Sequence, residues 1–308
     1  MHFYSNGKLL LTGEYLVLDG AKSLAIPTKF GQDLEVIPIK ESQLIWGSFT
    51  VEGNCWFETV FELPKLRLIS ATFESDKEEN AEMIAETLLE ILLEAKKMNP
   101  DFLNANGGFL VKTNLTFPRK WGLGSSSTLI NSIASWAKVD AFQLLWNSFK
   151  GSGYDIACAQ NDSPILYQLN HQHPLVEQVK FQPTFHQNLF FVYLNIKQDS
   201  KQGIAKYREN MQNITQEINA ISHISESFLK ATSLIDFEKL LIEHENIISS
   251  IIKQKPIKES LFSDYFGEIK SLGAWGGDFV LATGNESTPN YFKNKGFETI
   301  ISYKDMIL

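Results

Sequence analysis

The chain has 308 residues, more than one hydrophobic core usually serves, so two domains of ~100–200 residues are expected. Apolar residues make up 44% and charged residues 21%, proportions that exclude a disordered chain, a collagen-like chain and a small disulfide-held scaffold. Lys and Arg number 28 against 36 Asp and Glu, a net charge of −8 that excludes the basic excess of a nucleic-acid binder and still allows a local anion site. Cys55 and Cys158 are too far apart for a disulfide framework or a metal-ligand spacing, and read as structural thiols in a reducing compartment. Met1 to Asn6 lack the charged and then apolar run of a secretion signal, and the densest apolar stretch, Leu189 to Ile196, falls short of the ~20 residues of a membrane span. A cytoplasmic protein without membrane or nucleic-acid partners is the expectation.

In chain order, the first part reads as strands: Leu9–Leu11, Tyr15–Leu18 and Leu34–Ile39, punctuated by Gly13, Gly20 and Gly31. Ala81, Ile84, Ala85, Leu88, Leu89 and Leu92 recur at helical spacing and predict a helix over Glu78–Met98, closed by Asn99-Pro100. A strand over Phe109–Leu115 leads past Pro118 into Gly122-Leu123-Gly124-Ser125-Ser126-Ser127 and an apolar helix. A second such passage is Gly151-Ser152-Gly153-Tyr154-Asp155, a short helix over Ile156–Gln160 and a strand over Ile165–Leu169. The His-, Gln- and Pro-rich stretch Asn170–Asn188 reads as a linker and sets the domain division at 1–175 and 176–308. Beyond it come a strand over Leu189–Leu194, a mostly helical region from Lys201 to Lys270 with breaks near Ser233 and Pro256, the stretch Gly273-Ala274-Trp275-Gly276-Gly277-Asp278, and strands over Phe279–Thr283 and Glu298–Ser302. Irregular alternation of strands and helices predicts two α+β halves, not one doubly wound sheet.

The glycine-serine loop carries the chemistry. Gly122 and Gly124 permit a tight turn and a close backbone approach, and the serines stand where a helix begins, so free N–H groups and the positive helix end converge on one point suited to phosphates. Serine hydroxyls there can also ligate Mg²⁺. On the local pattern alone, a glycine-containing helix start without a ligand fits equally well. No Lys follows the second glycine, so this is not a Walker loop, and Ser127 stands where a dinucleotide-binding fingerprint needs its third glycine. The nucleophile elbow of a serine hydrolase is absent as well.

Pro118-x-x-x-Gly122-Leu123-Gly124-Ser125-Ser126-Ser127 resembles the phosphate-binding motif of the GHMP kinases, which phosphorylate galactose, homoserine, mevalonate and phosphomevalonate. Gly7-Lys8-Leu9-Leu10-Leu11-Thr12-Gly13-Glu14-Tyr15 resembles their N-terminal substrate motif, and Gly273 to Asp278 their C-terminal glycine motif, in the same order. Glu14-Tyr15, Gly151 to Asp155 and the Gly-Gly-Asp ending resemble phosphomevalonate kinases most, mevalonate kinases next. The resemblance implies an α+β, two-domain GHMP-kinase-like fold, with an N-terminal ribosomal-protein-S5-like, ATP-binding domain and a C-terminal ferredoxin-like α/β sandwich. It implies Asp155 and Lys8 as catalytic residues, with Asp155 beside the accepting hydroxyl and Lys8 near the transferred phosphate. Gly122, Leu123, Gly124, Ser125, Ser126 and Ser127 would hold ATP, and Ser126 Mg²⁺. Glu14, Tyr15, Gly153, Tyr154, Gly276 and Gly277 would contact the acceptor.

The chain departs from that pattern in places. Where mevalonate kinases place a second Mg²⁺-binding glutamate, it has Gln143-Leu144-Leu145-Trp146, and the nearest acid is Asp140. Trp275 replaces a glycine and is expected to crowd the pocket. Arg67, Arg119 and Arg208 are its only arginines, few clamps for a phosphorylated substrate. From the residues alone, Asp155 also fits an N-cap of the helix that follows, and Lys8 a solvent-facing strand lysine. His171, His173 and His186 read as linker residues, Lys253 to Lys258 as a solvated turn, and Trp136 and Trp146 as core. The expected activity is ATP-dependent phosphorylation of an alcohol or phosphate acceptor, a mevalonate-pathway acid foremost. A nucleotide-binding regulatory protein and an ATP-dependent decarboxylase are the alternatives, and a homodimer is allowed.

Overall fold

A computed structural model describes residues 1–73, 80–104, 107–196, 200–210 and 213–308. In chain order the elements are β1 (His2–Leu10), β2 (Ser23–Ile39), β3 (Gln43–Phe49), β4 (Cys55–Glu62), β5 (Arg67–Phe73), α1 (Ala81–Met98), β6 (Gly108–Leu115), α2 (Ser125–Ala137), α3 (Ala141–Ser148), α4 (Tyr154–Gln160), β7 (Ile165–Asn170) and β8 (His173–Gln178). There follow β9 (Leu189–Tyr193), α5 (Ser200–Asn210), α6 (Thr215–Phe228), α7 (Leu234–Ile252), α8 (Ile257–Leu261), β10 (Ile269–Ser271), β11 (Phe279–Thr283), α9 (Thr288–Asn294), β12 (Ile300–Ser302) and α10 (Tyr303–Met306). No helix among the described residues is long and apolar enough to cross a membrane.

Contacts divide the chain into two compact units that interleave in sequence. The first comprises Met1–Gly7, Phe30–Arg119 and Leu123–Gln160; the second comprises Lys8–Lys29, Lys120–Gly122 and Asn161–Leu308. Residues 8–29, 120–122 and 161–175, placed in the first half by the sequence division, thus cluster with the second unit.

In the first unit the strands run in the order β5-β4-β3-β6-β2, with β3 and β6 parallel and the other pairs antiparallel. A parallel pair needs a long crossover, and the chain from β3 to β6 supplies one through β4, β5 and α1. Helices α1, α2 and α3 bury apolar faces with the sheet in one core that includes Trp46, Phe61, Leu88, Leu92, Val111, Ile133, Trp136 and Leu144. Asn80 caps α1 by accepting a hydrogen bond from the N–H of Glu82 at 2.9 Å, so the helix begins at Ala81; the expected start at Glu78 lies outside the described residues.

In the second unit β7 and β8 form an antiparallel hairpin, and the first residues of β2, Ser23 to Ala25, pair with β7. An antiparallel sheet in the order β10-β11-β9-β12 makes the rest, with Val192, Phe262, Tyr265, Val280 and Phe292 in its core. A separate aromatic cluster joins Phe181, Phe185, Phe228 and Phe237.

Several expectations need correction. Tyr15–Leu18 is no strand: Leu16–Asp19 is a 3₁₀ turn between Gly13 and Gly20, whose positive φ values of 91° and 89° break the extended chain on both sides. Asn170–Asn188 is no linker, since it contains β8, joined to β7 by His171 and Gln172 in left-handed conformation. β8 was hidden because its side chains are almost all exposed and show no alternation. The helical region ends at Leu261, and Lys270 lies in β10. α9, with a proline in its first turn, was not expected at all. Trp136 is in the core as expected, while Trp146 is only partly buried against it.

Candidate functional site

In the first unit, α2 starts directly behind Gly124, a residue at φ 92°. Gly124 has no side chain to cap this helix, which leaves its first N–H groups open to a ligand or solvent at the positive end of the helix. The hydroxyls behind the loop have other work. Ser127 donates to the Gly124 carbonyl at 2.9 Å, and Thr128 to Gln32 Oε1 at 2.7 Å, which fixes the turn from below. Ser126 is exposed. A polar chain then ties α2 to α4: Asn131 donates to Ser5 Oγ at 3.0 Å, Ser5 and Ser132 share a hydrogen bond of 2.8 Å, and Gln160 donates to Asn131 Oδ1 at 3.0 Å.

That chain positions α4, which carries Asp155. The helix begins at Tyr154, one turn closing where the Ala157 N–H donates to the Gly153 carbonyl at 3.0 Å. Asp155 therefore lies inside the first turn, not at an N-cap before Ile156, and its Oδ1 accepts from the Ile156 N–H at 3.1 Å. Its carboxylate is half-buried at the positive end of the helix. Asp140 caps α3, accepting from the Gln143 N–H at 2.7 Å.

The second unit brings Lys8, Gly122 and the third motif together. Lys8, half-buried on β1, lines a narrow cavity with Trp121, Gly122, Gly273 and Asp278. Gly122 has φ 67°, and a Cβ there would run into the Asp278 carboxylate, so only glycine fits. Asp278 is itself left-handed at φ 53°, held by its N–H to the Ile196 carbonyl at 2.7 Å and by the Leu194 N–H to its own carbonyl at 2.8 Å. Sequence reasoning gave Asp278 no role beyond its place in the motif. Burial, together with this carboxylate, pushes the Tyr193 phenol up.

The same unit holds the Gly13-Glu14-Tyr15 corner. Tyr15 has φ 64°; its hydroxyl accepts from the Trp275 N–H at 3.3 Å, and its ring stacks on Tyr207 with centroids 5.7 Å apart. Burial pushes its phenol up. Trp275 is buried and meets the corner through its backbone. Glu14 is buried, with Lys270 Nζ donating to its Oε1 and His244 Nε2 3.1 Å from its Oε2. Burial opposes its charge, but Lys270 and then His244 hold the carboxyl below the usual range.

Of the residues singled out by sequence, Leu123 to Ser127, Gly153, Tyr154 and Asp155 belong to the first unit, and Lys8, Glu14, Tyr15, Gly122, Gly276 and Gly277 to the second. Among the described residues no three or more His, Cys, Asp or Glu gather as metal ligands. The exposed Ser126 hydroxyl at the helix start suits Mg²⁺, which commonly takes one or two protein oxygens and completes its shell with phosphates and water.

No family model and no curated protein matches the sequence. The fold is matched by solved structures. Phosphomevalonate kinase of Streptococcus pneumoniae, in complex with phosphomevalonate and AMPPNP, superposes with a TM-score of 0.69 at 15% identity over 98% of this chain and 99% of that one. Mevalonate kinase of Methanococcus jannaschii gives 0.67 at 15% identity over 98% and 96%. Galactokinase of Lactococcus lactis, complexed with galactose, gives 0.64 at 12% identity over 98% and 92%. All three are GHMP kinases, and the chain has their mixed α/β fold.

Proposed function

We propose that this chain is an ATP- and Mg²⁺-dependent kinase of an alcohol or phosphate acceptor, with mevalonate or phosphomevalonate as the substrate class. The observation that carries the reading is the start of α2 behind Gly122 and Gly124, a helix end without a side-chain cap and suited to an anion, in a fold shared with solved mevalonate and phosphomevalonate kinases. That one of those examples holds AMPPNP supports ATP as the donor.

Phosphoryl transfer asks the protein for positioning and charge neutralisation more than for covalent help. The N–H groups at the start of α2 bind the phosphates, and Gly122 to Ser127 let the backbone approach them. Ser126 offers Mg²⁺ its hydroxyl, and the ion, when bound, offsets charge on the transferring group. Asp155 orients the acceptor hydroxyl and takes its proton at a carboxylate oxygen. Lys8 steadies the negative charge passing between donor and acceptor. Tyr15, Gly153, Tyr154, Gly276 and Gly277, with the Glu14 corner, shape the acceptor's place.

A panel of mevalonate, phosphomevalonate and several sugars, each incubated with ATP and Mg²⁺, tests the proposal. ADP together with a phosphorylated product supports it. Binding of ATP without turnover favours a regulatory protein, and CO₂ release a decarboxylase; either result overturns the kinase reading.

A further inference from the structure

Glu14, His244, Glu245 and Lys270 form a cluster of titratable side chains inside the second unit. Glu14 comes from the corner after β1, His244 and Glu245 from α7, and Lys270 from β10. The Glu14, His244 and Lys270 side chains are wholly buried, and Glu245 is 5% exposed. Burying such groups is unfavourable unless they are paired, and apolar side chains of the same volume would fill the space as well. We propose that His244, Glu245 and Lys270 are positioning residues for the acceptor, acting through the Gly13-Glu14-Tyr15 corner, and that Glu14 belongs with them and does not touch substrate.

The hydrogen bonds show how the corner is gripped. The Gly13 N–H donates to His244 Nε2 at 2.9 Å, and Nδ1 of the same ring lies 3.9 Å from Glu245 Oε1. Lys270 Nζ donates to Glu14 Oε1 and, at 2.7 Å, to the Ser271 carbonyl, and it lies 3.7 Å from Glu245 Oε1. Glu245 Oε2 accepts from the Ser271 N–H at 3.1 Å. Helix α7 thus holds β10 through Glu245 and the corner through His244, while β10 holds the corner through Lys270. Both residues flanking Glu14 have positive φ, 91° at Gly13 and 64° at Tyr15. A tyrosine keeps such a conformation only where its surroundings over-determine it; the Trp275 N–H and the Tyr207 ring hold Tyr15 itself, and the cluster fixes the two residues before it.

The geometry stands by itself; the consequence for an acceptor rests on the kinase reading. Two variants separate the outcomes. His244→Phe fills the ring's space without an acceptor for Gly13, whereas His244→Gln offers an amide oxygen. Amide hydrogen exchange over residues 13–19 is measured on the protein alone, and KM for acceptor and for ATP in the kinase assay. In His244→Phe, exchange over 13–19 should rise about tenfold or more while α2 is unchanged. Acceptor KM should rise by about tenfold with ATP KM unmoved, and His244→Gln should restore both. Unaltered exchange in a folded His244→Phe, a uniform rise over the whole chain, equal behaviour of the two variants, or an acceptor KM that stays put while exchange rises would each overturn the proposal. If the phenylalanine variant does not fold, His244→Asn, too short to reach Gly13, carries the same expectations. A wild-type chain that phosphorylates nothing would remove the kinase reading, and the exchange measurement would still decide whether the cluster braces the corner.

Discussion

Asp155 and Lys8 carry the burden of the proposed chemistry, and their surroundings support different experiments. Asp155 sits in the first turn of α4 with one oxygen on the Ile156 N–H. Replacing it by Asn keeps the shape and removes the proton acceptor, so kcat should fall by about 10²–10⁴, the usual range for a lost general base. A folded Asp155→Asn enzyme with an unchanged rate would remove that role. Lys8→Ala should depress turnover and leave ATP binding largely intact, because the proposed phosphate donors are backbone N–H groups; normal turnover would count against it. The serine loop was legible as the start of α2, because glycines break the preceding chain and the apolar run behind the serines has helical length. The surroundings of Glu14 were not legible, since its partners Lys270 and His244 stand 256 and 230 positions away and look unremarkable in sequence. Asp278 could have been noticed as the one acid in the third glycine motif, but its packing against Gly122 is a matter of tertiary structure.

At the scale of elements, amphipathic helices and apolar strands announced themselves, and exposed or short ones did not. α1 has its periodicity and β6 its apolar run, so both were found within a few residues. β8 is nearly all exposed and is held by pairing with β7, an interaction that leaves no pattern in its own residues. The buried pair Leu16 and Val17 looks like a strand until the left-handed glycines around it are seen. α3 offers a test of a different kind. Asp140, the acid nearest to where a second Mg²⁺ ligand was expected, spends its Oδ1 on capping the helix. Asp140→Ala should therefore cost about 1 kcal/mol of stability, read from the urea midpoint, and leave the Mg²⁺ dependence of activity untouched. A changed Mg²⁺ titration would show that Asp140 serves the metal.

For the whole molecule, a net charge of −8 is compatible with the proposed phosphate site, because the positive potential of a helix end is local. The buried cluster links stability to pH. Glu14 has its carboxyl held below the ordinary value of 4.5 when folded, so its contribution is full above that value and is lost as pH falls through the lower folded one. Glu14→Gln should flatten the acid side of a plot of urea midpoint against pH, and curves that run parallel to wild type would contradict the pairing. ³¹P NMR of wild-type protein with ATP, Mg²⁺ and either mevalonate or phosphomevalonate decides whether the chain works as a kinase. The γ-phosphate signal of ATP should disappear while a new phosphomonoester signal grows with mevalonate, or a diphosphate pair with phosphomevalonate. An ATP spectrum that stays unchanged with both acceptors, or free phosphate as the sole new signal, would show that the chain is no kinase of either acid.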